Sequence, residues 1–375
     1  MAELNETPSA NRVHVAFFGL RNAGKSTLVN AFTGQDIAIV SDVAGTTTDP
    51  VSKAMEILPL GPCLITDTAG LDDVGALGEM RVEKTLKVLS TTDIAVWVVG
   101  ENEASGARAR FDAECGKRGV TVIEFRRGDP VDGLKAKIAA VKLADVPPRL
   151  LDGLVNDGDR VVCVCPIDES APKGRMILPQ VQLIRECLDR HLTVTVCQPG
   201  ELCAALGERA APGGETLVVT DSQAFGEVRR IVPPTVRLTS FSILFARQKG
   251  DLAEYLKGLE AIRNLQDGDR VLVAEGCTHH RQCNDIGTVK IPKALSRMSG
   301  RRLEFSFSSG SSFDFGEDAR PALVVQCGGC MLTRREVMRR IAFCREAGVP
   351  IVNYGMLLAA ANGLGGVLPS GLVGR

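Results

Sequence analysis

VHVAFFGLRNAGKSTLVNAF, residues 13–32, decides how the front of this chain folds. The apolar run over 13–18 reads as a buried parallel strand, and it passes directly into Gly19, Leu20, Arg21, Asn22, Ala23, Gly24, Lys25 and Ser26. That is the G-x-x-x-x-G-K-[ST] spacing of a P-loop, with a helix expected over 27–32. The spacing carries a specific chemistry. Backbone N–H groups from Gly19 through Asn22, Ala23 and Gly24 cradle nucleotide phosphates at a helix N-terminus, and Lys25 reaches the β and γ oxygens. The Ser26 hydroxyl is placed to bind Mg²⁺, and Thr27 completes the nucleotide-binding set.

Working outward, two further stretches turn a phosphate cradle into a switch. The run over 63–66 ends in Asp67-Thr68-Ala69-Gly70, where Asp67 is placed to hold Mg²⁺ through water and the Gly70 N–H to sense a γ-phosphate. Upstream, GTTTDP at 45–50 offers hydroxyls in a loop, and Thr47 is the candidate second Mg²⁺ ligand. Lys25, Thr47, Asp67 and Gly70 form the expected catalytic group. GLRNAGKS, AGTTTD and DTAGL resemble the Era and TrmE group of GTPases. The resemblance implies GTP as nucleotide and a K⁺ ion held by Asn22 and the switch loop. Leu71 stands where other GTPases carry a water-orienting Gln, which fits reliance on that cation.

One motif departs. Strands are expected over 95–99 and 120–125, and a guanine-reading N-K-x-D should follow the second; Arg126-Arg127-Gly128-Asp129 stands there instead. Either Asp129 survives from a decayed motif, or the segment is deleted and 119–134 is the closing strand and helix. Weak discrimination of GTP over ATP is the expectation.

Pro147-Pro148 and DGLVNDGDR at 152–160 read as a linker. Beyond it, strand-like runs over 161–165, 193–197 and 216–220 alternate with helix-like segments near 179–190, 199–209 and 222–231, a parallel βαβ pattern. LTSFSILFAR at 238–247 is apolar at nearly every position and reads as a central strand or a subunit interface. This middle third carries no catalytic set, since Asp168, Glu169 and Lys173 read as a polar turn, and a dimerisation domain is expected.

The last third presents thiols at two strand ends. VLVAEGCTHHRQCNDIGTVKIP at 271–292 delivers Cys277, His279, His280 and Cys283; LVVQCGGCML at 323–332 delivers Cys327 and Cys330. Strand ends of an open α/β sheet are where ligands bind. Thr333 and Glu336 then form a capping pattern for a helix, whose N-terminal dipole favours thiolate. Cys277, Cys327 and Cys330 make a three-thiol frame. Zinc takes such a frame with His279 or Cys283 as a fourth ligand, and an iron–sulfur cubane takes it with one iron left open. Spacing does not choose between them.

CTHH, CGGC, DIGTVKIP and NYG at 353–355 resemble the [FeFe]-hydrogenase maturation GTPase family, HydF. The resemblance spans nearly the whole chain and implies a TrmE-like GTPase domain, a dimerisation domain and a domain binding a 4Fe-4S cluster. It further implies a homodimer that accepts a diiron precursor from radical-SAM maturases and delivers it to apo-[FeFe]-hydrogenase. Cys277, His279, Cys327 and Cys330 match the family signature in place, while Gln326 stands where the family has a second His.

Composition sets the outer bounds. The chain has 375 residues, 45% hydrophobic, with a net charge of -1, so three cores are affordable and no basic footprint for nucleic acid is present. The N-terminus lacks an apolar signal region and no apolar run reaches the roughly 18 residues of a span; neither membrane nor nucleic acid is an expected partner. Twelve Cys, several inside apolar runs, read as reduced thiols in a cytoplasmic protein. The fold expected is α/β throughout: a P-loop GTPase domain over 1–150 followed by two smaller parallel-sheet domains, dimerisation over 151–250 and cluster-binding over 251–375. The rivals are a zinc-stabilised Era- or TrmE-like GTPase in RNA modification or ribosome assembly, and an open-iron cubane enzyme catalysing a dehydration.

Overall fold

The computed structural model describes residues 9–34, 51–71, 85, 87–100, 105–143, 147–167, 176–207, 214–276, 285–310, 313–315, 320–329 and 332–363. The chain divides into two compact units, Met1–Val146 and Pro147–Arg375.

The first unit is built on a five-stranded sheet in the order β2-β3-β1-β4-β5, from β1 (Val13–Gly19), β2 (Val51–Ile57), β3 (Gly61–Asp67), β4 (Ile94–Val99) and β5 (Thr121–Arg126). All neighbours are parallel except β2 with β3. Helices α1 (Lys25–Thr33), α2 (Ser105–Arg118) and α3 (Val131–Ala139) accompany it. Strand β1 shows why: successive side chains point to opposite faces, so Val15 and Phe17 join a core with Leu28, Phe32 and Ile138, while Ala16 and Phe18 join a second core with Trp97 and Phe111. Each large apolar side chain so buried is worth about 1.5–3 kcal/mol. Strand β2 was not expected. Its alternation of half-buried and exposed residues is that of an edge strand with one covered face.

The second unit holds two four-stranded parallel sheets with the same winding. Strands β6 (Arg160–Val164), β7 (Thr193–Cys197), β8 (Thr216–Thr220) and β9 (Arg237–Ser240) lie in the order β7-β6-β8-β9. Strands β10 (Arg270–Glu275), β11 (Glu304–Ser309), β12 (Leu323–Gln326) and β13 (Ile351–Asn353) repeat it as β11-β10-β12-β13. The helices are α4 (Leu178–Asp189), α5 (Leu202–Gly207), α6 (Phe225–Ile231), α7 (Phe241–Lys249), α8 (Leu252–Ala261), α9 (Ile291–Ser299), α10 (Arg334–Glu346) and α11 (Tyr354–Ala361). One continuous apolar core runs from Leu150 to Ala359 through both sheets.

Two sequence expectations are corrected here. The run 238–247 is not a strand throughout: β9 ends at Ser240, whose hydroxyl accepts from the Ile243 N–H at 3.3 Å and caps α7. Helix α7 buries Phe241, Ile243, Leu244, Phe245 and Ala246, packed against α4 of the middle sheet and against α10 and α11 of the last. Nor is 152–160 a solvated linker. Leu150, Leu151 and Leu154 are buried, and Asp159 accepts from the Asn156 and Glu215 N–H groups and pairs with Arg237.

The NYG motif at 353–355 has a packing role. Asn353 Oδ1 accepts from the Met356 N–H at 2.7 Å and caps α11. A side chain at Gly355 would place its Cβ 1.9 Å from Ser242 Cβ, so only glycine lets α11 lie on α7. Buried thiols outside the expected metal set are ordinary core: burial pushes Cys63 up to about 11 and Cys115, Cys165, Cys187 and Cys344 up to about 12. Among the described residues no helix is long and apolar enough to cross a membrane.

Candidate functional site

In an open α/β sheet the binding crevice lies at the carboxyl ends of the strands, where the strand order reverses. In the first unit that point is between β1 and β4, and the P-loop leaves β1 there. A Cβ on Gly19 would lie 2.6 Å from the Val98 carbonyl oxygen, so the exit from β1 demands glycine. Asn22 has φ 60°, a left-handed conformation that Asn tolerates better than most residues. Lys25 is buried and its Nζ donates to the Leu20 carbonyl at 2.8 Å and the Gly19 carbonyl at 3.4 Å.

The Ser26 hydroxyl donates to Asp67 Oδ2 at 2.6 Å. Burial holds the Asp67 carboxyl above its ordinary range, with the Ser26 hydroxyl and the Lys25 ammonium pulling the other way. The second oxygen, Asp67 Oδ1, is buried with no hydrogen-bond partner. Thr68 Oγ1 donates to the Phe17 carbonyl at 2.7 Å and the Leu71 N–H to the Gly19 carbonyl at 3.3 Å, tying the 67–71 stretch to the P-loop; Gly70 is buried between them. A hydroxyl beside a carboxylate whose second oxygen is buried and unpartnered is a donor set that suits a small hard cation such as Mg²⁺. Thr47 lies outside the described residues.

At the end of β5, Asp129 Oδ2 accepts from the Arg126 N–H at 2.9 Å while the Asp129 N–H donates to the Arg126 carbonyl at 3.0 Å. The carboxylate thus closes its own turn and is exposed.

In the last sheet the order reverses between β10 and β12, the two strands expected to deliver thiols, and they are hydrogen-bonded neighbours. The Cys327 N–H donates to the Ala274 carbonyl at 2.8 Å, and the Gly276 N–H donates to Cys327 Sγ at 3.1 Å. Cys327 Sγ is therefore held beside the residue that precedes Cys277. Cys277, His279, Cys283 and Cys330 lie outside the described residues, and among the described residues no group of three His, Cys, Asp or Glu is gathered for a metal. Gln326 is buried, with its Nε2 donating to the Tyr255 hydroxyl of α8 at 2.7 Å and its Oε1 unpartnered. Thr333 caps α10 by accepting from the Glu336 N–H at 3.3 Å. The Glu336 carboxylate turns to Arg339 and Arg340. Although burial pushes that carboxyl up, the two arginines leave it below its ordinary range.

Sequence reasoning did not find Lys249. Its Nζ is buried and donates to the carbonyls of Gly329, at 3.3 Å, and Leu332, at 3.4 Å, on either side of Cys330. A lysine ending an apolar run was the available signal.

Family models match three stretches of the chain. Residues 14–123 match a 50S ribosome-binding GTPase, residues 150–250 the hydrogen maturase F dimerization domain, and residues 253–369 the hydrogen maturase F tetramerization domain. The chain belongs to the hydrogen maturase F family. Its first unit is a GTPase domain similar to those of MnmE and Der. The tRNA modification GTPase MnmE of Chromobacterium violaceum is 40% identical over 99 residues, which are 26% of this chain and 22% of that protein. GTPase Der of Wolinella succinogenes is 41% identical over 100 residues, 26% of this chain and 21% of that protein. The chain thus spans only a small part of the curated relatives it matches. Among solved structures, Aquifex aeolicus Era bound to GDP.AlF4- is 16% identical, with a TM-score of 0.28 over 80% of this chain and 94% of that one. The expectation of oligomerisation has support in the two domain types that follow the GTPase domain.

Proposed function

We propose that this member of the family is a GTP-hydrolysing scaffold that holds a 4Fe-4S cluster on Cys277, Cys327 and Cys330 and delivers a diiron precursor to apo-[FeFe]-hydrogenase. The observation that carries the cluster reading is the Gly276 N–H donating to Cys327 Sγ, at the point where the strand order reverses. N–H···S bonds favour thiolate and tune iron–sulfur centres. A 4Fe-4S cluster supplies, when bound, an iron with a replaceable ligand; His279 and Cys283 are the candidates for that fourth position. The chain's own part is to present three thiolates and keep the fourth side open.

In the GTPase domain, Ser26 and Asp67 would hold Mg²⁺ with Thr47, Asn22 would hold K⁺, and Lys25 and the Gly70 N–H would contact the phosphates. Backbone from Gly19 to Thr27 would cradle the nucleotide. Domains over 1–150, 151–250 and 251–375 are the working division, for a cytoplasmic homodimer served by radical-SAM maturases.

Anaerobic reconstitution followed by EPR and iron analysis tests the reading. The expected result is a brown protein whose reduced cluster signal is lost in Cys327→Ala and in Cys330→Ala. A colourless wild-type protein containing zinc would favour the rival GTPase of RNA modification or ribosome assembly, and a full cluster in Cys327→Ala would overturn the ligand assignment.

A further inference from the structure

The last sheet ends in two unlike edges, β13 on one side and β11 on the other. Strand β13 is three residues long and buried throughout, and α11 begins at the very next residue. Helix α8 lies so close to it that a Cβ on Gly258 would fall 2.1 Å from the Ile351 carbonyl oxygen. That edge is covered. Strand β11 is six residues long, Glu-Phe-Ser-Phe-Ser-Ser, and mostly exposed. Consecutive pairs from Arg270 and Glu304 to Glu275 and Ser309 tie it to β10 without a bulge, and among the described residues no strand pairs with its other side.

Proteins blunt a free edge with lysine, proline, a bulge or a very short strand, because a row of unpaired backbone groups is a template for another chain. Strand β11 uses none of these devices. Its single charged residue, Glu304, stands at the first position with its carboxylate 3.9 Å from Arg270 Nε on β10. The ends of the ladder fix which backbone groups face outward. The Glu304 N–H donates to the Asp269 carbonyl at 2.9 Å, and the Gly310 N–H to the Glu275 carbonyl at 3.1 Å. Backbone groups of a pleated strand alternate between its two sides, so Ser306 and Ser308 also address β10. Phe305, Phe307 and Ser309 therefore aim their N–H and C=O groups at the open side. The two phenylalanine side chains share one face; Phe305 packs on the core, while Phe307 is 42% exposed.

We infer that the outer edge of β11 is a self-association surface, filled by β11 of a second copy running antiparallel, so that two last sheets join into one. A twofold axis sets the same patch against itself. With the axis at Phe307, that residue lies opposite its own copy and Phe305 lies opposite Ser309, an arrangement in which the outward N–H and C=O groups satisfy one another. A second copy is the occupant because β11 falls inside 253–369, the stretch that matches the hydrogen maturase F tetramerization domain, whereas the dimerization match ends at residue 250. The family's name for the domain gives an association and no surface. Antiparallel joining turns the carboxyl ends of the two sheets to opposite edges, so each Cys327 stays on an open side. None of this depends on the cluster reading.

The test uses the full chain as wild type, Phe307→Lys and Phe307→Pro, with size-exclusion chromatography and light scattering over a concentration series. Phe307→Lys keeps the backbone and places a charge on the edge. Phe307→Pro deletes one outward N–H while sparing the ladder to β10, a position where a strand tolerates proline. Each variant is expected to show half the mass of wild type at the same concentration, with an unchanged circular dichroism spectrum. Hydrogen exchange over 304–309, read by mass spectrometry, should be slow in concentrated wild type and fast in both variants. If Phe307→Pro does not fold, Phe307→Lys carries the same prediction from an exposed position. Variants that keep the wild-type mass, a wild type that is monomeric throughout the series, or exchange over 304–309 that ignores concentration would each overturn the inference.

Discussion

The Ser26 hydroxyl donates to Asp67 Oδ2 across 2.6 Å while Asp67 Oδ1 is buried with no partner. Two elements far apart in sequence, the start of α1 and the end of β3, thereby meet at one carboxylate. Replacing Asp67 by Asn is expected to weaken Mg²⁺-dependent nucleotide binding about 10–100-fold, the usual effect of losing an outer partner of a bound metal. Titration with a fluorescent nucleotide at varied Mg²⁺ measures this, and unchanged Mg²⁺ dependence would remove Asp67 from the site.

The same carboxyl predicts a pH effect. Its folded pKa is raised, chiefly by burial, so on lowering the pH it gains a proton before an ordinary carboxyl would. Ligation of Mg²⁺ needs the ionised form. Mg²⁺-dependent nucleotide affinity is therefore expected to fall as pH drops, beginning above the usual carboxylate range, and Asp67→Asn should flatten the profile. A profile that is flat in wild type until the ordinary range would contradict the shift.

Base selectivity is expected to be poor. Asp129 Oδ2 is engaged by the Arg126 N–H within its own turn, and Arg126-Arg127-Gly128 stands where a guanine-reading motif has N-K-x. Competition binding should place GTP and ATP within about tenfold of each other, near the 1–3 kcal/mol that one good base contact supplies, and Asp129→Ala should leave GTP binding unchanged. A GTP preference of several orders of magnitude would refute this.

Gly355→Ala should destabilise the second unit. Its Cβ would sit 1.9 Å from Ser242 Cβ, and overpacking of this kind costs about 1–3 kcal/mol or more. Thermal melting of Gly355→Ala, alone and with Ser242→Gly, checks it: the second change should recover most of the loss.

Gln326→His, which installs the residue implied by the family signature, is expected to leave the iron content of reconstituted protein unchanged. Position 326 is committed to the Tyr255 hydroxyl of α8. A gain or loss of one iron per cluster in the variant would show that this position reaches the metal.

What the sequence made legible, and what it hid, follows from the range of the forces involved. The P-loop announced itself because its chemistry sits in consecutive residues, and the β10 and β12 strands because their apolar runs end abruptly at polar turns. Residues 238–247 misled because the apolar run Ile243 to Ala246 crosses more than one face of the helix and blurs the 3.6-residue pattern, leaving the Ser240 cap and the closing Lys249-Gly250 as clues. Strand β2 was missed because an edge strand with one covered face carries a weak apolar signal. Lys249 was invisible for another reason: its partners, Gly329 and Leu332, are backbone atoms far along the chain, and no side-chain pattern reports a carbonyl.

Helix α7 lies in a single core shared by the middle and last sheets. The join near residue 250, where one family model stops and the next begins, is therefore a seam of ancestry and not of cooperativity. A protein cut there would strip α7 of its packing against α10 and α11 on one fragment and leave those two helices uncovered on the other. The oligomerising segment and the thiol-bearing segment are therefore expected to melt as one body.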